Sequence, residues 1–191
     1  MAVPDQFSLA LDEFGRRVQA VPEDAWQDPT PCADWNVRAL VNHVVGEVRW
    51  IPPLLEGRTV ADVGAALDGD LLGDDPNASW RAASDEARAA AGALGGADPV
   101  VHLSSGDAPA SSYLAEVTAD VVVHTWDLAH GTGGDDRLDP DLVAFAEATL
   151  GPQVETWRAA GAFGPAADVP SGADAQQRLL AATGRTGTTS T

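Results

Sequence analysis

Residues 111–130 read S-S-Y-L-A-E-V-T-A-D-V-V-V-H-T-W-D-L-A-H, and this stretch decides how the rest of the chain is read. Leu114, Val117, Val121, His124 and Leu128 recur at intervals of three and four. That spacing puts side chains on one face of an α-helix. Gly131 and Gly133-Gly134 are placed to end it. One member of the stripe is out of character, because His124 stands where apolar neighbours mark core. Asp120 lies four residues earlier on the flank of the same face, and side chains so spaced lie about 5–6 Å apart at Cβ. A carboxylate turned into a helical interior costs several kcal/mol unless it is paired. A metal ion would satisfy both groups. A simple Asp120–His124 hydrogen bond would also do so, and is the commoner arrangement.

The same periodicity extends in both directions. Phe7, Leu11, Phe14 and Val18 mark a helix over about 4–20 that opens with Pro4. Val37, Leu40, Val41, Val44, Val45 and Val48 mark a second, started by Asp34 or Asn36 and expected to stop at Pro52-Pro53. Trp80, Ala83, Ala87 and Leu94 mark a third, capped by Asp75 or Asn77 and ended by Gly95-Gly96. A fifth helix holds Leu142, Phe145, Ala146 and Leu150, and a short one is expected near 174–183. Residues 57–76 read as a connection with room for one short helix. V-V-H-L-S-S-G-D-A-P-A, 100–110, reads equally as an extended hairpin or a loop. Four long amphipathic segments imply an all-α fold, a helix bundle. Its connections of about 15–20 residues exceed the 2–8 typical of bundles, and long loops tend to frame binding sites.

Composition excludes several function classes. The 191 residues suit one domain, expected over 1–185, with a disordered tail over 186–191. Eleven basic residues, all Arg, face 29 acids for a net charge of -18. Nucleic acid and anionic membrane surfaces both require a cationic footprint, so neither is an expected partner. The N-terminus lacks a basic, apolar leader pattern, and no run of about 18 apolar residues is present. A single cysteine, Cys32, leaves no disulfide framework. The expectation is a cytoplasmic protein, monomer or homodimer, acting on a small molecule.

A third metal ligand is available on the second helix. His43 sits at the edge of its apolar face, and packed helices lie about 8–10 Å apart. His43, Asp120 and His124 make two nitrogens and one oxygen, which with a free fourth position is the arrangement of catalytic zinc. Ligand type leaves nickel, iron and manganese open. Glu47, one turn beyond His43, is placed to orient it, although a solvated surface acid is the commoner reading. Asp127 is expected to hold a helix end or to pair with Arg38. Trp35, Trp50 and Trp126 are expected as core or cavity wall, and His102 and His130 as loop and helix-end residues. Cys32 is expected as a small buried apolar side chain.

P-T-P-C-A-D-W-N-V-R-A-L-V-N-H-V-V-G at 29–46 and D-V-V-V-H-T-W-D-L-A-H-G-T-G at 120–133, with F-G-P-A-A-D-V-P-S-G-A-D-A-Q-Q-R-L-L-A-A-T-G-R at 163–185, resemble a known family. The sequence is similar to the DinB-like metal-binding proteins that share the N-terminal domain of mycothiol-dependent maleylpyruvate isomerase. The resemblance implies a DinB-like four-helix bundle with long connecting loops and a divalent metal, zinc above all, at one end. It implies His43, Asp120 and His124 as the ligands, and a low-molecular-weight thiol of the mycothiol type as cosubstrate. The implied chemistry is a thiol transferase or isomerase, with a non-catalytic metal-binding or ligand-sensing module as the alternative. The isomerase itself resembles this pattern with Glu in place of Asp120, and it adds a C-terminal domain that has no counterpart in this sequence.

Overall fold

A computed structural model of the chain describes residues 3–169 and 171–186. Of the tail expected over 186–191, residues 187–191 lie outside the described residues. The first helix, α1, spans Val3–Ala20, and Phe7, Leu11, Phe14 and Val18 are all buried along it. A single 3-10 turn at Ala25–Gln27 follows. Helix α2 spans Val37–Leu55, and of the two candidate caps Asn36 takes the role, its side chain accepting from the Ala39 amide at 2.8 Å.

Helix α2 runs through Pro52-Pro53 rather than stopping there. A proline inside a helix forfeits its own donor and crowds the turn before it, but here the loss falls within the last turn. The Glu56, Gly57 and Arg58 amides close that turn on the carbonyls of Pro52, Leu54 and Pro53, each at 3.0 Å. Burial of Ile51 and Leu54 holds the helix end against the core.

The connection to the next long helix contains a one-turn helix, α3 (Val60–Val63), started by a reciprocal Thr59–Asp62 capping box. Helix α4 spans Pro76–Ala93, with Asp75 as its cap. Residues 100–110 form the hairpin alternative, β1 (Val100–Leu103) antiparallel to β2 (Gly106–Pro109), in register from Val100↔Pro109 to Leu103↔Gly106. Helix α5 spans Ala110–Gly131 and helix α6 Pro140–Leu150, the latter capped by Asp139. A short α7 (Val154–Ala159) has too few turns for its periodicity to be read from sequence. Helix α8 spans Ala175–Ala182 behind an Asp174–Gln177 capping box.

The architecture is all-α and DinB-like, apart from the one hairpin. Helix α1 packs on α5 and α4, and α2 packs on the same two, so the four close into a ring. Helix α6 covers α5 and α1 from outside, and α8 rests on α6. The consequence for α5 is burial on nearly every side. From Val121 to Ala129 each residue of α5 is buried, including His124 and Asp127. A helix enclosed in this way should be apolar all round, so its few ionisable groups must each find a partner inside the fold.

Crossing of α1 and α4 depends on a glycine. Phe14 and Trp80 meet with ring centroids 4.7 Å apart, and a Cβ on the neighbouring Gly15 would lie 2.6 Å from the Trp80 indole nitrogen. Trp80 is buried and held by Phe14, so the indole has little room to yield. Gly92, on α4, has no atom near its would-be Cβ. Gly15→Ala is expected to destabilise the protein by about 1–3 kcal/mol through overpacking, while Gly92→Ala stabilises it by about 0.5–1 kcal/mol through helix propensity. Urea unfolding midpoints should move in opposite directions, and a stabilising Gly15→Ala would contradict the close approach.

Candidate metal centre

The loop before α2 is folded tightly by its own backbone and by Thr30. The Thr30 hydroxyl donates to the Trp35 carbonyl at 2.8 Å and accepts from the Cys32 amide at 3.2 Å. The Trp35 amide donates to the Cys32 carbonyl at 2.8 Å, and Pro29 bridges to Asn36. This turn lies across the C-terminal end of α5. A Cβ on Gly131 would stand 3.1 Å from the Pro29 carbonyl oxygen, so the contact is made at a residue without a side chain. Cys32 and Trp35 are thereby carried to the buried face of α5.

His43 comes from α2, and Asp120 and His124 from α5. His43 Nε2 lies 3.7 Å from one Asp120 oxygen, and His124 Nε2 lies 3.4 Å from the other. The two imidazoles meet edge to face at 5.1 Å between centroids, and Trp35 lies against them at 4.5 Å from His43 and 5.7 Å from His124. The structure therefore brings the three expected residues together. Asp120 Oδ2 is buried and has no hydrogen-bond partner. A carboxylate between two imidazoles, one of its oxygens orphaned, is a donor set that suits a divalent cation, so these residues fit such an ion.

Burial alone would raise the Asp120 carboxyl, but the charges of His124 and His43 outweigh it and hold the group well below the usual carboxylate range. His124 is the mirror case. Burial would lower it, and Asp120 first, then Asp127 and Cys32, raise it well above the ordinary imidazole value. Glu47 is raised, mainly by burial and then by the negative charge of Asp120, with His43 and His124 opposing. It is half-buried on the site side of α2, so the surface reading is corrected.

The opposite edge of the His124 ring carries a second set of groups. His124 Nδ1 lies 2.9 Å from Asp127 Oδ2, and the Cys32 thiol donates to the same oxygen at 3.3 Å, standing 3.9 Å from Nδ1. Arg185 closes this set, with Nε 3.2 Å from Asp127 Oδ1 and Nη2 2.8 Å from Oδ2. The same Nη2 lies 3.6 Å from Cys32 Sγ. Asp127 is fully buried, and burial would raise its carboxyl, but the His124 hydrogen bond and the Arg185 charge bring it down to about 2.

Among the described residues two groups have metal-ligand spacing, Cys32–His124–Asp127 and His43–Asp120–His124, and they share His124. The first already contains a cation, the Arg185 guanidinium, which would repel a metal ion at that edge. The second contains no such permanent charge, since an imidazole can give up its proton to a metal. Charge thus places the candidate ion site on the Nε2 edge of His124.

Other expectations are corrected by the same distances. Asp127 pairs with Arg185 and not with Arg38, which instead binds Asp70 at 2.9 Å and the Gly73 carbonyl at 2.8 Å. Cys32 is half-buried and hydrogen-bonded rather than an apolar filler. His102 lies on β1, not in a loop, paired with Asp107. His130 ends α5, paired with Asp136 and stacked on the buried Trp126. Arg185 was not anticipated at all. Its trace in the sequence is that it closes the 163–185 stretch that shares in the resemblance, in a chain where basic residues are scarce.

Residues 7–129 match the family described as mycothiol maleylpyruvate isomerase N-terminal domain. The chain belongs to this family. It is also 33% identical over 148 residues to two proteins of Mycobacterium tuberculosis, covering 75% of this chain and 77% of each relative. These are the uncharacterized protein MT0763 of strain CDC 1551 / Oshkosh and the uncharacterized protein Rv0738 of strain ATCC 25618 / H37Rv. No solved structure is significantly similar to the chain. No helix among the described residues is long and apolar enough to cross a membrane. The family match includes His43, Asp120, His124 and Asp127 and stops well short of Arg185.

Asp127 carries a pH prediction. Its carboxyl is held at about 2 in the fold against an ordinary value of 3.8. The stabilisation is therefore complete above about pH 4 and is lost as pH falls toward about 2. The window corresponds to about 2 kcal/mol. Asp127→Asn should destabilise the protein by about 3 kcal/mol at pH 7, because Arg185 is left buried and uncompensated. Urea titrations across pH 7 to 2 should show the gap from wild type narrowing on the acid side. A gap independent of pH would contradict the buried ion pair.

Proposed function

We propose that the protein is a divalent-metal, thiol-utilising enzyme, a transferase or isomerase whose centre is His43, Asp120 and His124. The observation that carries this reading is the Asp120 carboxylate between two imidazoles, with its oxygen on the His43 side buried and unpartnered. Zinc is the expected ion, and a low-molecular-weight thiol of the mycothiol type, the thiol in the family's name, is the expected cosubstrate. A divalent ion held by three protein ligands supplies an open Lewis-acid corner at which a thiol loses its proton near neutral pH.

The chain's own residues supply the rest. His43 and Asp120 keep 28% and 20% of their side-chain surface exposed, so a small molecule has access to the ligand set. A closed structural site would bury all of its ligands, and this exposure favours catalysis over a purely structural ion. Trp35 shields one side of both imidazoles from water. Glu47, raised by burial and by Asp120, is the residue of α2 placed to orient His43, and the thiol proton passes to solvent on the exposed side of the site. In transfer, sulfur forms a bond to an electrophilic carbon of the second substrate, whose leaving group departs with a proton. In isomerisation, the same sulfur–carbon bond forms and then breaks after rotation. The net charge of -18 keeps nucleic acid and anionic membranes outside the partner set. A cytoplasmic protein, monomeric or homodimeric, is the setting proposed.

Metal analysis of the purified protein should find about one divalent ion per chain, and His43→Ala and His124→Ala should fall close to none, a ligand loss that outer residues could not mimic. Equal metal in all three proteins would sink the centre. In the cobalt-substituted protein, adding a low-molecular-weight thiol should change the visible absorption. A spectrum indifferent to every small thiol, at full cobalt loading, would separate a metal-binding module from the thiol enzyme.

A further inference from the structure

The C-terminal segment is stitched onto the bundle in a way that delivers one side chain to the centre. The Arg158 side chain donates to the Gly164 carbonyl at 3.1 Å and to the Ala182 carbonyl at 2.7 Å. The Ala167 amide donates to the Ala181 carbonyl at 2.9 Å, so the stretch after α7 runs against the end of α8. Leu179 and Leu180 are buried. Gly184 turns the chain with φ +81°, and a Cβ there would lie 3.0 Å from the Gly164 backbone. A side chain would be obstructed on both counts. The Arg185 amide then closes on the Leu180 carbonyl at 2.8 Å, and its side chain enters the fold.

Inside, the guanidinium is fully committed. It forks onto both oxygens of Asp127, donates through Nη1 to the Thr183 carbonyl at 2.7 Å, and lies 5.8 Å from the centre of the Phe163 ring. Only 9% of the Arg185 side chain is exposed. Burying an arginine and an aspartate on this scale is seldom a net gain for stability. The geometry instead serves the imidazole between them and the ligand set.

His124 has a carboxylate at each ring nitrogen, Asp127 at 2.9 Å from Nδ1 and Asp120 at 3.4 Å from Nε2. A neutral imidazole has one proton to donate, and a metal ligand needs its lone pair free on the other nitrogen. The shorter contact claims the proton. Asp127 can hold that position only because its other lone pairs are occupied by Arg185 and Cys32. Removing the arginine leaves a buried carboxylate with fewer donors, free to turn toward others.

We propose that Arg185 is a positioning residue of the metal centre: it fixes Asp127, Asp127 fixes the proton on His124 Nδ1, and Nε2 is thereby left to face His43 and Asp120. The proposal rests on the metal reading above, and it assigns a role in that centre to the segment beyond residue 129. Part of it concerns the protein without metal, which keeps the two separable.

Nitrogen-15 NMR of the metal-free protein distinguishes imidazole tautomers. There are four histidines, and His124→Ala assigns the relevant signal. At a pH high enough to leave the His124 ring a single proton, the wild type should carry it on Nδ1, and a single proton on Nε2 would overturn the proposal with no variant needed. Arg185→Gln, its fold checked by circular dichroism, should lose the single tautomer and weaken cobalt binding by about 10–100-fold, the usual effect of losing an outer partner. Arg185→Lys, which restores the charge without the fork, should recover the Nδ1 tautomer and part of the affinity. A folded Arg185→Gln with wild-type tautomer and affinity would overturn the proposal. Cobalt binding that is the same in wild type and His43→Ala would instead overturn the metal reading, and leave the tautomer result standing.

Discussion

The structure turns on a carboxylate that has been taken entirely out of water. Asp127 sits within α5 at a point where helices and loop enclose it on every side. An isolated charge there would be prohibitive. It is tolerated because a guanidinium, an imidazole and a thiol all donate to it. Those three donors come from the end of the chain, from the same helix and from the loop before α2. Compensation of one buried charge therefore ties together three regions that are distant in sequence. The enclosure of α5 by α1, α2 and α6 and the seating of the C-terminal segment are parts of one arrangement.

His124 lies at the junction of two unlike environments. Its Nδ1 edge faces a fully paired cluster that already includes a cation. Its Nε2 edge faces an underfilled one, with His43 nearby and an Asp120 oxygen that nothing satisfies. The ring thus separates a closed electrostatic balance from an open one, and the open side is where a ligand has something to gain. Because His43 and His124 approach within 5.1 Å, a carboxylate as short as aspartate reaches toward both. The longer glutamate that the resemblance led one to expect in the isomerase is not needed at this separation.

The loop 28–36 contributes by geometry rather than by charge. Thr30 organises its backbone, and its close passage over Gly131 lets Trp35 cover the imidazoles while Cys32 reaches Asp127. The motif that made this stretch recognisable is therefore a structural device. Its threonine folds the turn, and its cysteine and tryptophan are delivered to opposite edges of the site.

Local sequence determined most of the helices. Apolar residues at three- and four-residue intervals can be buried together only on a helix, and Asp75, Asp139 and Asp174 sit where capping requires them. The His43–Asp120–His124 convergence was also legible, since Asp120 and His124 share a helical face and His43 lies on a packed neighbour. The path of α2 through Pro52-Pro53 was not, because the closing bonds and the burial of Leu54 are tertiary. Nor was the hairpin at 100–109, whose alternation is too short to exclude a loop. The partners of Asp127 lay furthest out of reach. An ion pair between residues 58 positions apart leaves no periodic trace in a sequence, so Arg38 was as reasonable a choice as Arg185 until the folded chain brought one of them to 2.8 Å.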